Sequence, residues 1–291
     1  MSIFLISSTE DPASTTIKQQ LLTHAQTKPY SIFMDEPILL LEEFQDTYLV
    51  TISDRTIYHD NLDRELEKTT GITPDLLIFL SRHSSKMKTP TLTTHPIGNY
   101  GSADFGGKAK TLVPSAPHIM THLLRKIYEN HQKNPLGFQV CYEVTHHGPF
   151  LTTPTLYVEV GSTEKEWLNH EAAMIIAKAV YETIKDYSSN QDFSYDVPVL
   201  IGIGGGHYAP RFTDIILERK ASFGHMIPSY HIDAETITEE SLKNAILQTP
   251  DASAVYIHTK GLKKPQVRHF KEMLGTLDIP VISSKELPAL S

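Results

Sequence analysis

The residues best suited to chemistry surround a glycine-rich turn in the last third of the chain. Residues 199–203 form a short apolar run typical of a buried parallel strand, and the sequence GGGHYAPR follows at 204–211. Because glycine enters left-handed conformations without steric cost, successive amides here could face one concavity and bind an anion. His207 then lies above a strand end, where open parallel sheets bind ligands, as a candidate base or metal ligand. The candidate substrate-binding residues of this turn are Gly204, Gly205, Gly206, Tyr208 and Arg211.

Familiar motifs do not account for this turn. The dinucleotide-binding fingerprint Gly-x-Gly-x-x-Gly is not met, because His207 stands where its third glycine is required. A P-loop is also absent from the sequence, because no lysine followed by serine or threonine completes one. The sequence has no Gly-x-Ser-x-Gly elbow, and Cys141 lies inside a predicted strand and not at its end, so the sequence supports neither a serine nor a cysteine nucleophile. The remaining possibility is a hydrolase that activates water, either through histidine or through a metal held by histidine and glutamate. The alternative is a tight strand-to-helix connection in which the glycines only permit close packing.

A second set of candidates follows two other predicted strands. Glu143 and Glu159 lie among apolar neighbours, where a carboxylate needs a metal, an arginine or a histidine as partner; a surface edge would also explain either one. His146 and His147 are adjacent. Since successive side chains of an extended chain point to opposite faces, we expect only one of these two histidines to face the site.

Two further histidines flank a segment without an apolar pattern. Residues 86–110 contain prolines, glycines and lysines and are predicted to form a long loop, which in a folded domain is usually functional or mobile. His83 precedes this loop and His95 lies within it, so both could close over a bound substrate. His225 lies in a predicted strand, 221–226, and is equally consistent with a hydrogen-bonded core histidine.

The elements that must position these residues alternate between strands and helices, which predicts an α/β fold with a mostly parallel sheet flanked by helices. A capping box of Thr163 and Glu166 begins the longest predicted helix, 164–185, and Ser115 is expected to cap another, 115–128. The polar clusters each begin at the carboxyl end of a predicted strand, so we expect them to meet at one edge. These clusters are RHSS (82–85), HHGP (146–149), GST (161–163), GGGHYAPR (204–211) and HTKG (258–261).

Length and composition limit the possible classes. The 291 residues suit a single α/β domain over 1–291, with a possible smaller N-terminal subregion at about 1–70. The single cysteine, Cys141, excludes an intrachain disulfide and a thiolate zinc cluster and is typical of a cytoplasmic protein. The first residues carry neither a basic region nor a long apolar run, so we expect no signal peptide and no membrane partner.

Charge is unevenly distributed. The net charge of −8 argues against a general nucleic-acid coat protein, because nonspecific affinity comes from neutralising phosphates. Two basic patches, 82–110 and 260–271, nevertheless stand out and suit a specific anionic substrate. The second patch includes the candidate contacts Lys260, Lys264 and Arg268. A solvated loop and an ordinary exposed helix face are the alternative interpretations.

Several of these motifs together resemble a known family. HHGP after Glu143, VEVGSTEKEW at 158–167, GGGHYAPRFTD at 204–214 and FGHMIPSY at 223–230 are similar to the archaeal and plant type of D-aminoacyl-tRNA deacylase. The likeness extends to HSS and TTHPIGN at 83–99. It implies hydrolysis of the ester bond of D-aminoacyl-tRNA, a fold like peptidyl-tRNA hydrolases and phosphorylases, and a zinc requirement. No protein partner is implied.

The resemblance does not identify the metal ligands, so the roles of the candidate residues are assigned from their types and positions. The residues that it singles out are His83, His95, His146, His147, Glu159, Gly204 to His207, Arg211 and His225. The catalytic candidates are His207, His147, Glu143 and His83, and the metal-ligand candidates are His95, His146, Glu159 and His225. Two other functions remain open at this point: a metal-dependent amidohydrolase or peptidase acting on a small substrate, and a non-catalytic RNA- or nucleotide-binding module. Steep salt dependence of tRNA binding would disfavour the first, and turnover would disfavour the second.

Overall fold

Strands and helices alternate along much of the chain, as the sequence predicts, but strands follow one another without an α-helix between them at residues 27–52, 76–95 and 139–162. The computed structural model describes residues 1–189, 196–233 and 236–290. The strands are β1 (Ile3–Ser8), β2 (Thr27–Phe33), β3 (Glu36–Leu41), β4 (Thr47–Ile52), β5 (Leu76–Ser84), β6 (Thr91–His95), β7 (Gln139–Tyr142), β8 (Thr155–Ser162), β9 (Val199–Ile203), β10 (Ser222–Ile227), β11 (Ala252–Ile257) and β12 (Val281–Ile282). The helices are α1 (Pro12–Leu21), α2 (Leu62–Thr70), α3 (Pro117–Lys133), α4 (Glu164–Trp167), α5 (His170–Ser189), α6 (Pro210–Glu218), α7 (Ser229–Asp233), α8 (Glu239–Leu247) and α9 (Lys264–Thr276).

The strands form two sheets. The first contains eight strands in the order β2-β3-β4-β1-β5-β8-β6-β7, and the second contains four in the order β10-β9-β11-β12. The second sheet is parallel throughout, whereas the first has a parallel centre, β4-β1-β5-β8, with antiparallel pairings at β2-β3-β4 and between β6 and β8. This arrangement confirms the mostly parallel α/β prediction. Among the described helices, none is both long and apolar enough to cross a bilayer.

Strand β5 shows how the sheet positions the site. Its side chains alternate between two cores: Leu76, Ile78 and Leu80 face one, and Leu77 and Phe79 face the other. Helices α1 and α3 both pack against α5, and α3 also contacts β10 of the second sheet. The main core therefore includes residues of both sheets. Because both faces of β5 are buried, its register is fixed and the position of its carboxyl end is well defined.

Two predicted boundaries were wrong because tertiary pairing overrode local pattern. The predicted loop 86–110 contains strand β6, whose sequence TLTTH lacks the apolar signal of a strand but pairs with β7 and β8. His95 is therefore the last residue of a buried strand and not part of a closing loop. Strand β5 runs on to Ser84, so His83 lies within the strand and not after it.

Two helix predictions also need correction. The single helix predicted over 164–185 is two helices, because the Asn169 side chain accepts hydrogen bonds from the amides of Glu171 and Ala172 and begins α5 anew. The capping box of Thr163 and Glu166 is confirmed at the start of α4. Ser115 does not cap α3, since its hydroxyl donates to the carbonyl of Gln248 in a distant turn.

Candidate active site: a histidine and glutamate centre

Seven histidine and glutamate side chains from β5, β6, β8, the segment after β7 and the turn after β9 meet at one place. His83 lies within β5 and Glu159 within β8, and β6 runs antiparallel to β8, so this place is not one common carboxyl edge of the sheet. They fall into three overlapping groups in which every potential ligand atom lies within 4.8 Å of the others. The groups are His83, Glu143, His146 and His207; His95, His146 and His147; and His95, Glu143 and Glu159. Every one of these residues is a candidate that the sequence analysis named. Because the groups share members, the seven side chains form one centre.

The glycine-rich turn of the second sheet delivers His207 to this centre. The amide of Val144 donates to the carbonyl of His207 (3.0 Å), and the amide of Ala209 donates to the carbonyl of Tyr142 (2.9 Å). The turn after β9 is thereby joined to the segment after β7, which carries Glu143. The two sheets meet at the position where the sequence places its polar clusters.

Both adjacent histidines face the centre, contrary to the expectation that only one would. His147 has a φ of 47°, in the left-handed region that non-glycine residues rarely adopt, so the chain is not extended there. The amide of Gly98 donates to the carbonyl of His147 at 2.8 Å and helps to hold this conformation. A strained backbone at this point aims two imidazoles at one place, as is common at functional sites.

Three histidines have their ring orientation fixed in the same way. Each Nδ1 donates to a backbone carbonyl: His95 to Pro96 (3.2 Å), His146 to Val144 (2.8 Å) and His147 to Gly148 (2.6 Å). A proton on Nδ1 leaves the lone pair on Nε2, and histidine ligands of metals are held in this manner. His95 Nε2 is buried and makes no hydrogen bond within the described residues. These three rings form one of the groups above.

The two carboxylates are buried among these rings. Glu143 is fully buried, and its Oε2 lies 2.9 Å from His207 Nε2 and 3.2 Å from His83 Nδ1. Glu159 Oε2 lies 3.5 Å from His83 Nδ1 and 3.6 Å from His95 Nε2. Although these distances suit ion pairs, neither oxygen of Glu143 nor Oε2 of Glu159 has a partner with hydrogen-bond geometry in the described structure.

Orphaned buried polar atoms that surround one point need a common partner. Histidine and carboxylate ligands without cysteine suit a divalent cation such as zinc, in a site of the catalytic kind. The side chains therefore fit a bound metal ion, with His95, His146 and His147 as the best-prepared ligands.

The titration behaviour divides the centre into charged and neutral members. Burial alone would raise the pKa of Glu143, but the neighbouring His83 and His207 hold it well below its usual range. Burial likewise opposes the ionised form of Glu159, yet the neighbouring His83 and His95 lower its pKa to about 2. For His83, burial lowers the pKa but the two carboxylates outweigh it and raise the value to about 11. His83 is thus a cation beside two anions.

His146 and His147 behave differently from His83. Burial, reinforced by the neighbouring His95, lowers the pKa of His147 to about 4 and that of His146 well below its usual range. Both rings are therefore neutral near pH 7, which is the state in which imidazole binds a metal.

A cavity of about 1030 Å³ opens over the centre. His83, His146, His147, Glu159 and His207 contribute to its wall. The side chain of His207 is 33% exposed whereas that of Glu143 is fully buried, so His207 is the one that a substrate can reach. Cavity residues that the sequence analysis did not assign to the site include Arg55, Asn99, Phe105, Trp167 and Tyr230. For Phe105, the signal available in the sequence was a lone aromatic residue in a glycine-rich segment.

The glycine-rich turn supplies less of an anion-binding surface than the sequence suggests. The Gly204 amide donates to the carbonyl of Ile227 (2.8 Å) and the Gly205 amide to Ser229 Oγ (2.9 Å), so both are already used within the protein. Gly206 lines the cavity, and its amide has no acceptor among the described residues. Only this third amide is in a position to contact a substrate.

Tyr208 and Arg211 were both predicted to bind substrate, but only Tyr208 lines the cavity. Tyr208 lines the cavity, with its ring centre 5.6 Å from that of His83, so it belongs to the site. Arg211 does not, because its guanidinium donates to the hydroxyls of Tyr256 and Ser284 at 3.0 Å each. Assigning Arg211 to substrate binding was wrong, since these bonds direct it toward the second sheet.

The structure removes His225 from the set of metal-ligand candidates. Both of its ring nitrogens have partners: Nε2 donates to the carbonyl of Val113 (3.0 Å), and Nδ1 lies 3.1 Å from Thr145 Oγ1. The ring is completely buried, and burial lowers its pKa to about 4. His225 is a neutral structural histidine that ties β10 to the segments around Val113 and Thr145.

Replacing His225 by alanine is therefore expected to destabilise the fold by roughly 2–4 kcal/mol, through a cavity and two unpaired polar groups. Urea unfolding measures this loss. The metal content of the folded variant should equal that of the wild type, and a variant of normal stability that had lost its metal would contradict the assignment.

The second basic patch lies beside the cavity and not in its wall. Lys260 is in a short 3₁₀ turn, Thr259–Gly261, and Lys264 and Arg268 are on α9. A Cβ built on Gly261 would lie 3.2 Å from the Gly205 amide, so this turn packs on the glycine-rich turn. The three basic residues do not line the cavity, but the turn that carries Lys260 contacts Gly205, whose neighbour Gly206 does line it.

Comparisons with known proteins place this geometry in context. A sequence profile described as D-aminoacyl-tRNA deacylase matches residues 70–282. A curated D-aminoacyl-tRNA deacylase of Thermococcus kodakarensis is 38% identical over 91% of this chain and 94% of its own length, and one of Pyrococcus furiosus is 37% identical over 94% and 96%. A solved structure, described as a conserved protein of unknown function, is 32% identical, with a TM-score of 0.88 and 99% of each chain covered.

Proposed function

The chain belongs to the D-aminoacyl-tRNA deacylase family, and from this premise we propose how its histidine and glutamate centre carries out the reaction. The enzyme hydrolyses the ester bond of D-aminoacyl-tRNA and releases the D-amino acid and the tRNA. The observation that carries the mechanism is the set of three histidines whose Nδ1 atoms are all held by backbone carbonyls.

The metal ligands in this proposal are His95, His146 and His147, and the metal is zinc. Glu159 lies beside His95 and stabilises the centre by its negative charge. A bound zinc ion supplies Lewis acidity, which polarises the ester carbonyl and favours loss of a proton from water. Support for this set comes from the lowered pKa of His146 and His147, which keeps both rings neutral, and from the Nε2 of His95, which has no hydrogen-bond partner among the described residues.

The proton is moved by His207, whose position over the cavity suits it to contact the substrate. Its Nε2 faces Glu143, which leaves Nδ1 as the nitrogen that can accept a proton from the attacking water. The water oxygen adds to the ester carbonyl, the bond from the carbonyl carbon to the ribose oxygen breaks, and His207 returns the proton to that oxygen. Glu143 orients the ring and stabilises its protonated form, while His83 holds Glu143 ionised from the other side.

The Gly206 amide contributes to the same step in this proposal. Gly206 lines the cavity next to His207 and its amide has no acceptor among the described residues, so this amide can donate to the oxygen that becomes negative when water adds to the carbonyl. Tyr208 closes the cavity on the side of His83. Selectivity for the D form arises if backbone groups of this wall fix the amino group and exclude the mirror arrangement.

The experiment that tests the function compares two substrates that differ only in chirality. The purified protein should release tRNA from D-tyrosyl-tRNA while leaving L-tyrosyl-tRNA intact under the same conditions. Tight binding of both substrates without any hydrolysis would instead indicate an RNA-binding module.

We also propose that the patch of Lys260, Lys264 and Arg268 contacts the phosphates of the tRNA. The contact of its 3₁₀ turn with Gly205, next to the cavity residue Gly206, supports this, since a tRNA whose end enters the cavity must pass over the surrounding surface. The charges are on one side of α9 and on the turn before it, as a phosphate-binding surface requires.

Replacing both Lys264 and Arg268 by alanine is expected to weaken tRNA binding without changing kcat. Each lost phosphate contact should reduce the slope of log K against log salt by roughly one, so the double variant should lose about one to two. Binding measured across a salt series checks this. Lys243→Ala is the matched control, because Lys243 is an exposed cation on α8, outside the patch, and pairs with Glu239 four residues away as Arg268 does with Glu272. An unchanged slope in the double variant would exclude the patch.

A further inference from the structure

An aromatic surface at the edge of the cavity is not used by the hydrolytic mechanism. It consists of Arg55 and Phe105, which line the cavity, and Tyr58, which lies beside them; we call these three residues the aromatic rim. Phe105 is 65% exposed and lines the cavity, and Tyr58 is 49% exposed. The Arg55 guanidinium lies over the Tyr58 ring, 5.0 Å from its centre. An exposed aromatic ring at a cavity mouth is more informative than a scattered surface residue.

The segment that carries Phe105 is firmly held. The Asn99 side chain donates to the carbonyls of Gly106 (2.9 Å) and Lys108 (3.2 Å), and Gly106 packs so tightly on Ile57 that a Cβ there would lie 1.8 Å from its carbonyl oxygen. The same Cβ would lie 3.0 Å from the Tyr58 ring. Phe105 and Tyr58 are thus fixed next to one another, and the exposure of Phe105 does not come from a loose loop.

The rim lies close to the reacting groups. The amide of Gly148 donates to the carbonyl of Phe105 at 3.1 Å, and Gly148 directly follows His147 of the proposed metal site. In an aminoacyl-tRNA the ester is on the last ribose, so the terminal base is only one sugar away from the scissile bond. A base attached to a substrate in this cavity therefore comes within reach of Phe105.

The charges of the rim also suit a nucleotide. Asp54, the acidic neighbour of Arg55, is paired with His59 at 3.0 Å, and no carboxylate of the described residues lies within ion-pair distance of Arg55. Exposed aromatic rings interleaved with a cation are the elements with which proteins bind single-stranded nucleic acid, because every base has a face that can stack.

We propose that the aromatic rim is the binding subsite for the unpaired 3′-terminal nucleotides of the tRNA, with Phe105 stacking on a base and Arg55 contacting the adjoining phosphate. This inference rests on the proposed function, because it takes the ester-bearing end of a tRNA as the occupant of the cavity. It adds a binding surface for the single-stranded end, distinct from the basic patch on α9.

The test measures direct binding of the trinucleotide CCA together with kinetics on D-tyrosyl-tRNA. Phe105→Leu keeps an apolar side chain but loses the ring, so both Kd for CCA and KM should rise about tenfold, while kcat stays within about twofold. Phe105→Trp should retain wild-type values. Met87→Ala is the matched control, since Met87 is 78% exposed at the same cavity but outside the rim, and it should change neither constant.

The outcomes separate this inference from the function itself. If the wild type does not bind CCA, or if Phe105→Leu leaves both constants unchanged, the rim is not the subsite. Equal losses in Phe105→Leu and Met87→Ala would also overturn it, because a general apolar effect would then explain both. If the wild type binds CCA through Phe105 but leaves D-tyrosyl-tRNA intact, the subsite stands and the proposed hydrolysis fails.

Discussion

Replacing Glu143 by glutamine is expected to lower kcat/KM for D-aminoacyl-tRNA roughly a thousandfold while the protein stays folded. Glutamine keeps the shape of the side chain but removes the charge that orients His207 and stabilises its protonated ring. The carboxylate is completely buried, and its Oε2 lies within 3.2 Å of nitrogens of both His83 and His207, so water cannot replace it. Steady-state kinetics on D-tyrosyl-tRNA measure the loss.

A double variant distinguishes a shared role from two independent ones. If Glu143 acts through His207, then adding Glu143→Gln to His207→Ala should cost less than about threefold beyond His207→Ala alone. Asp63→Asn is the control for burial, since Asp63 is also buried but accepts hydrogen bonds from Thr152 and Thr153 away from the centre. It should reduce stability and spare kcat/KM. An active Glu143→Gln enzyme would contradict the role given to Glu143.

Removal of the metal is expected to have the second large effect. Chelation should lower kcat at least about a hundredfold, because both the ester carbonyl and the attacking water lose their Lewis acid. Adding zinc back should restore activity. Burial and the neighbouring imidazoles lower the pKa of His146 and His147, so both rings are neutral and able to bind a cation, and the Nε2 of His95 has no hydrogen-bond partner among the described residues.

The matched variants for this prediction are His146→Ala and His225→Ala. His146 belongs to two of the three groups of potential ligands, so its loss should abolish metal binding and activity together. The His225 variant should keep its metal, since both ring nitrogens are engaged elsewhere. Full activity in metal-free wild-type enzyme would contradict this prediction, because histidine and glutamate would then activate water without a metal ion.

The sequence predicted the fold and the members of the centre because both depend on local signals. Strand β9 and the glycine-rich turn are encoded by a β-branched run followed by glycines. His83, Glu143, Glu159 and His207 were grouped on the expectation of one carboxyl edge of a parallel sheet. The side chains do meet, but β6 and β7 run antiparallel to β5 and β8, so Glu143 reaches the centre from the opposite direction to His83. The tightness of the grouping could not be inferred in this way, because it depends on how the two sheets pack through Tyr142 and Val144.

The errors have tertiary causes. Both His146 and His147 face the centre because a left-handed backbone, invisible in the sequence, replaces the expected extended one. Arg211 and His225 were misassigned because their partners, such as Tyr256 and Val113, are far away in sequence. Strand β6 was missed because threonine-rich strands are set by pairing partners and not by an apolar pattern. Phe105 was overlooked because one exposed aromatic residue has no periodicity.

The central claim is that one metal ion is held by His95, His146 and His147, next to the pair formed by Glu143 and His207. The most direct test is the anomalous difference density of zinc, collected at its absorption edge from crystals of protein purified without chelator. We predict a peak bounded by the Nε2 atoms of the three histidines and lying at the floor of the cavity. A zinc ion found only at another site, or density elsewhere with these three rings unliganded, would contradict the account.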